Sequence, residues 1–214
     1  MAGVIKLKKQ SKLRIKIDHP ALQHAEQSAA SLPWTTGWTE RLPVGLSLLD
    51  VACGSGALAV YAANRGFKVT AVDRDRAALD QIKNRSITVV CADIENADID
   101  HTQGSALAGQ FDCVVVNRYL WRPRWFQLMR WLKPDGVLIY ETFANGHAQY
   151  GRPKREDFLL RDGELVSRCI QSGLHVIAFE DGVGVGVGLG VGPVRVQRIC
   201  AIGPHRKRDS LLLK

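Results

Sequence analysis

The sequence predicts an α/β domain built on a mostly parallel, doubly wound sheet, and three observations carry the prediction. From residue 46 onward, short apolar runs alternate with helical stretches. The runs are continuous Val, Ile and Leu, the pattern of strands buried on both faces. The length, 214 residues with 46% hydrophobic and 23% charged, suits one such domain.

The elements follow in order. Residues 1–17 carry six Lys/Arg and no acid and predict a basic, flexible arm, with a short strand at LRIKI. Residues 20–31, after Pro20, have helical composition. SLPWTTGWTERLP places Trp34 and Trp38 among turn residues, which reads as a loop over a pocket or as a cap on the core. Strands are predicted at 46–51, 68–72, 87–91, 112–116 and 136–141, and helices at 55–65, 75–84, 123–132 and 162–172. Two more runs, HVIAFED (175–181) and VRVQRICAIG (194–203), predict a closing hairpin. Between them GVGVGVGLGVG (182–192) reads as a long, soft connection holding little structure, with no function assigned. One domain thus spans 18–203, followed by a basic tail at 204–214.

The net charge of +8 sits at the ends: +6 in 1–17 and +3 in 204–214, leaving the body at −1. Such ends hold a polyanion by counterion release or are simply solvated. No run of 18 apolar residues and no secretory leader is present, which predicts a cytoplasmic protein with no membrane partner. Five cysteines without a CxxC pair read as reduced, packed thiols, with Cys53 beside a candidate ligand. The six histidines show no metal-ligand spacing, so no metal is implied.

In such sheets ligands bind beyond the carboxyl ends of the strands. The first ends in LLDVACGSG, with Asp50 four residues before Gly54 and Gly56 two beyond it. Glycines there let a ligand lie against the backbone. The second ends in AVDRD, where Asp73 is placed to take hydrogen bonds from a ribose diol. The third ends in CADIE, with Asp93 for an adenine amino group and Ile94 for its ring. The fourth ends in Asn117, Arg118 and Tyr119. Two ligands fit an acid gripping ribose: a dinucleotide, since GSGALA satisfies G-x-G-x-x-A, and S-adenosylmethionine. Asp50 would repel a pyrophosphate but suits a ligand bearing an ammonium group.

Taken in order, LLDVACGSG, AVDRD, CADIE, FDCVVVNRYL and LKPDGVLIYET resemble the motifs of class I S-adenosylmethionine-dependent methyltransferases, of the small tellurite-resistance type. The resemblance covers residues 46–142. It implies a Rossmann-like sheet of seven strands, order 3-2-1-4-5-7-6, the last antiparallel, with bound S-adenosyl-L-methionine. It implies a donor site of Asp50, Ala52, Cys53, Gly54, Gly56, Asp73, Arg74, Asp93, Ile94 and Asn117. Ala52 replaces the family's usual first glycine, which is tolerable if its φ is negative. Asn117, Arg118 and Tyr119 begin the acceptor side, and His147 is the candidate base, with Tyr150 beside it. Arg118, Tyr119, Trp121, Arg122, Arg124 and Trp125 mix cations with aromatics, as for stacking a flat molecule or, from Trp125 onward, as an amphipathic helix with Trp125, Leu128 and Trp131 turned to the core. The irregular stretch 141–165 reads as a lid whose Arg152, Lys154 and Arg155 either bring positive charge to an anionic acceptor or are simply solvated. The leading expectation is methyl transfer to a small molecule by a monomer or homodimer. The alternatives are an RNA or protein methyltransferase using the basic ends, and a nicotinamide-dependent oxidoreductase or nucleotide-binding module.

Overall fold

The computed structural model describes residues 32–96, 107, 110–186 and 192–211. The arm 1–17, the helix expected over 20–31 and the tip of the Gly/Val stretch lie outside these residues. The strands are β1 (Ser47–Val51), β2 (Lys68–Asp73), β3 (Thr88–Cys91), β4 (Phe111–Asn117), β5 (Leu132–Phe143), β6 (His175–Gly186) and β7 (Gly192–Ile202). They form one sheet of order β3-β2-β1-β4-β5-β7-β6, as the resemblance implied. Only β7 runs against its neighbours.

The described α-helices are α1 (Pro33–Thr39), α2 (Ala57–Asn64), α3 (Arg76–Leu79), α4 (Trp125–Trp131) and α5 (Glu164–Gln171), accompanied by four short 3-10 turns. Alternate residues of β1, β4 and β5 enter two separate cores, so the sheet is covered on both sides. Trp125, Leu128 and Trp131 of α4 join Leu165 and Cys169 of α5 on one face. Trp38 of α1 and Leu58, Ala59 and Ala62 of α2 close the other. Near the C-terminus, Arg206 donates to the Asp135 carbonyl at 3.0 Å and Leu211 is buried, so this part of the tail lies on the body.

Three local readings need correction. The PWTTGWT stretch is a helix and not a loop. Thr36 and Thr39 hydroxyls donate back to the Leu32 and Thr35 carbonyls, and Trp38 is buried, so packing overrides weak propensity. Trp38 caps the core, with Trp34 tilted against it at 6.0 Å. The helix expected over 75–84 shrinks to four residues. Asp75 caps it through the Ala78 amide, but Gln81 and Ile82 bond to Ala78 and Leu79, three residues back, which tightens and ends it. The Gly/Val stretch, expected to hold little structure, continues the β6–β7 ladder from Gly182↔Val196 to Gly186↔Gly192.

The turn after β1 needs left-handed backbone at Gly54 and Gly56, with φ of 55° and 75°. A Cβ on Gly56 would meet Ile82 Cδ1 at 2.5 Å. Ala52 also has positive φ, 54°, contrary to the condition that made its methyl tolerable. For alanine that conformation costs about 1–2 kcal/mol. Ala52→Gly is therefore expected to raise stability by about 0.5–1 kcal/mol after the glycine's greater unfolded-state entropy is subtracted. Urea unfolding checks this; a loss of stability would show that the methyl packs well enough to offset the strain.

Candidate functional site

The carboxyl ends of the strands surround a cavity of about 380 Å3, within the range of small-molecule sites. Of the expected residues it brings together Ala52, Asp73, Arg74, Asp93, Ile94, Arg118 and Tyr119.

Asp73 is held from two sides. Its carboxylate accepts the Gly54 amide at 2.7 Å and the Asp75 amide at 2.9 Å. The glycine turn and the end of β2 are thereby locked together. Each carboxylate oxygen keeps a second lone pair. Asp93 closes its own turn through the Glu95 amide at 3.0 Å, with Ile94 buried beside it. Arg74 pairs with Glu95 at 3.7 Å on the rim.

Asp50 and Asn117 do not line this cavity. They lie at the ends of β1 and β4, on the face covered by α1 and α2. Asp50 is 3% exposed, and its Oδ2 has no partner. Burial pushes its carboxyl up to about 7, against the pull of the Ala59 amide and with a smaller push from Asp73. Asn117 accepts the Thr35 hydroxyl through Oδ1 at 3.0 Å, which leaves Nδ2 buried and unpartnered. A buried acceptor and a buried donor thus stand unsatisfied on neighbouring strands, a costly state that a ligand would relieve.

Cys53 does not line the cavity. Its Sγ lies 3.6 Å from the Gly54 carbonyl and its side chain packs beside the core. Gly54 and Gly56 shape the turn without lining the cavity.

His147 is corrected as a base. It is 2% exposed, takes the Arg195 amide on Nδ1 at 3.2 Å, and places Nε2 3.1 Å from the Arg152 carbonyl. Accepting at Nδ1 fixes the proton on Nε2, so neither nitrogen has a lone pair for a substrate proton. Its ring instead stacks on Phe143 at 4.2 Å. Arg122 is likewise spent on structure. It grips Glu164 and donates to the carbonyls of Asp157 and Leu159 at 2.8 and 2.7 Å. Trp125 is buried in the core, and Arg155 pairs with Asp157 at 2.7 Å.

The cavity also holds residues the sequence did not single out: Glu95, Leu120, Thr142, Phe143, Pro153 and Phe158. Thr142 and Phe143 continue the strand-five motif, and Pro153 and Phe158 lie in the stretch expected to be a lid. Thr35 carried no signal, because its role depends on α1 docking across Asn117. Glu141, 7% exposed at the end of β5, pairs with Arg198 at 2.9 Å.

This sheet order is the one the sequence resemblance implied, and the crevice lies at the strand ends. Residues 48–136 match the family described as Methyltransferase domain. Among curated proteins, the chain is 26% identical over 130 residues to malonyl-[acyl-carrier protein] O-methyltransferase of Priestia megaterium, covering 52% of this chain and 43% of that protein. It is 32% identical over 114 residues to the mitochondrial ubiquinone biosynthesis O-methyltransferase of Schizosaccharomyces pombe, covering 47% and 39%. The chain spans less than half the length of these two relatives. Among solved structures, TehB of Haemophilus influenzae superposes with a TM-score of 0.61 at 15% identity, over 79% of this chain and 61% of that one. The glycopeptide N-methyltransferase MtfA complexed with S-adenosylmethionine gives 0.57 at 18%, over 84% and 94%. The fold is shared with both.

Proposed function

We propose that this chain transfers the methyl group of S-adenosylmethionine to a small-molecule acceptor. The observation that carries the proposal is the Asp73 carboxylate, locked by two backbone amides and facing a cavity whose next wall is Asp93 and Ile94. That is the arrangement a ribose diol followed by a purine requires.

The unsatisfied atoms fit the rest of the ligand. Asp50 Oδ2 is an acceptor for an ammonium group and Asn117 Nδ2 a donor for a carboxylate, the two halves of a zwitterionic amino acid. A dinucleotide fits less well. The Gly54 amide that would face a phosphate is already taken by Asp73, and Asp50 adds a second anion.

S-adenosylmethionine, when bound, supplies a methyl group already activated on a sulfonium. What remains for the protein is to align acceptor and methyl for an in-line displacement, where positioning supplies most of the rate. Tyr119 contributes a buried hydroxyl without a partner. Burial pushes its pKa up, so it stays protonated and acts as a donor. A small acceptor is supported by the size of the cavity and by the name of the ubiquinone biosynthesis O-methyltransferase.

Thermal unfolding tests the cofactor. S-adenosylhomocysteine at a hundredfold excess over its Kd should stabilise the protein by about 2.7 kcal/mol, and NADH should leave it unchanged. The reverse order would establish the oxidoreductase reading instead. No helix among the described residues is long and apolar enough to cross a membrane.

A further inference from the structure

Resting on the methyl-transfer reading, we infer that the acceptor is a flat apolar molecule carrying an anionic group, held between Phe143, Pro153 and Phe158 with its anion on Arg118. The cavity has two halves of opposite character. Toward β2 and β3 it is lined by three acids, Asp73, Asp93 and Glu95, and by Arg74, which pairs with Glu95. Toward β4 and β5 its lining holds no acid: Arg118, Tyr119, Leu120, Thr142, Phe143, Pro153 and Phe158. The acids suit the hydroxyls and amino group of a nucleoside. The second half offers apolar walls and one cation, which suit a different molecule.

The second half is also built to keep its shape. Phe143 is backed by the His147 ring at 4.2 Å, and both His147 nitrogens are tied to backbone, at Arg195 and at Arg152 next to Pro153. The carbonyls on either side of Phe158 are both held by Arg122. His147 and Arg122 thus act as positioning residues for the two aromatic rings. A pre-formed apolar slot loses little freedom when a flat ligand enters.

Arg118 shows a second sign of purpose. Its φ is 54°, a left-handed conformation that a long side chain rarely adopts. The Arg118 amide, donating to the Glu141 carbonyl at 2.8 Å, holds it there. Strain of this kind gathers at sites where a side chain must be aimed. Here it turns the chain out of β4 and puts Arg118 at the mouth of the cavity, where its charge also acts on Glu141. A planar guanidinium there favours a carboxylate or similar oxyanion through charge-assisted hydrogen bonds.

The test uses protein saturated with S-adenosylhomocysteine and three matched pairs: 4-hydroxybenzoate and its amide, 3-phenylpropionate and its amide, and indole-3-acetate and its amide. Calorimetry at 50 mM salt measures each Kd. The acids are expected to bind about tenfold or more tighter than the amides in at least one pair. Arg118→Gln should reduce that preference to within twofold, and Phe158→Ala should weaken both members of the pair alike. Equal binding of acid and amide by the parent overturns the inference, as does a preference that survives Arg118→Gln or the absence of any binding below 10 mM. Binding of S-adenosylhomocysteine is read first and on its own, so failure of the cofactor reading is a separate result. Folding of each variant is checked by its circular dichroism and melting curve.

Discussion

Changing Asp50 to asparagine is expected to make the protein more stable at pH 8 and less able to bind S-adenosylhomocysteine. The cause is the burial of a carboxyl at the end of β1 with one oxygen unpartnered. Its pKa rises from 3.8 to about 7. The folded protein therefore keeps a proton that the unfolded chain gives up near pH 4. A raised acid contributes stability that is fully present below the unfolded pKa and is lost as pH rises through the folded one. Between pH 4 and pH 7 the unliganded protein should lose up to about 4 kcal/mol from this group. A neutral amide carries no such penalty, so Asp50→Asn should gain about 2 kcal/mol or more at pH 8 and nothing at pH 4. Urea unfolding at pH 4, 6 and 8 measures both. Binding should move the other way. An ammonium group pairs with the ionised carboxylate, so parent affinity for S-adenosylhomocysteine should climb from pH 6 to pH 8. The variant should be flat with pH and about a hundredfold weaker at pH 8. Equal affinity in the two proteins would remove Asp50 from the site.

Asp73→Ala carries the second large effect, and of the opposite kind. The alanine removes the acceptor for the Gly54 and Asp75 amides, leaving two donors to find water and releasing the glycine turn from β2. It also removes the groups proposed to take the ribose hydroxyls. Each hydrogen bond to a charged partner is worth about 1.5–3 kcal/mol, so binding should fall by at least about a hundredfold. Asp73→Asn separates the two roles. Its single carbonyl oxygen can still accept the Gly54 amide and keep the turn, while its amino group cannot accept from a diol. It should therefore melt within a few degrees of the parent yet bind nearly as weakly as the alanine variant. If Asp73→Asn binds S-adenosylhomocysteine as well as the parent does, the ribose contact is absent.

Most of the frame was legible in the sequence because the buried strands advertise themselves. Continuous runs such as VTAV and CVVV have one reading in a chain that alternates strand with helix, and each places the next residue at the crevice. Asp73 and Asp93 followed directly. What stayed hidden depends on contacts between distant segments. PWTTGWT has the composition of a turn, and only burial of Trp38 and two hydroxyl-to-carbonyl bonds makes it helical. His147 has the composition of a base, and only the distant Arg195 amide shows that its ring is already committed. Ala52 looked harmless because composition does not report φ. The Gly/Val stretch lacks alternate side chains, yet its pairing is supplied by backbone atoms that every residue carries.

The division of the cavity follows the order of the chain. The acid-lined half comes wholly from residues 52–95 and the apolar half wholly from residues 118–158. A substitution within 118–158 therefore alters the apolar half without replacing any residue that lines the acid half, so under the proposed reading the acceptor pocket can be re-cut while Asp73 and Asp93 stay as they are.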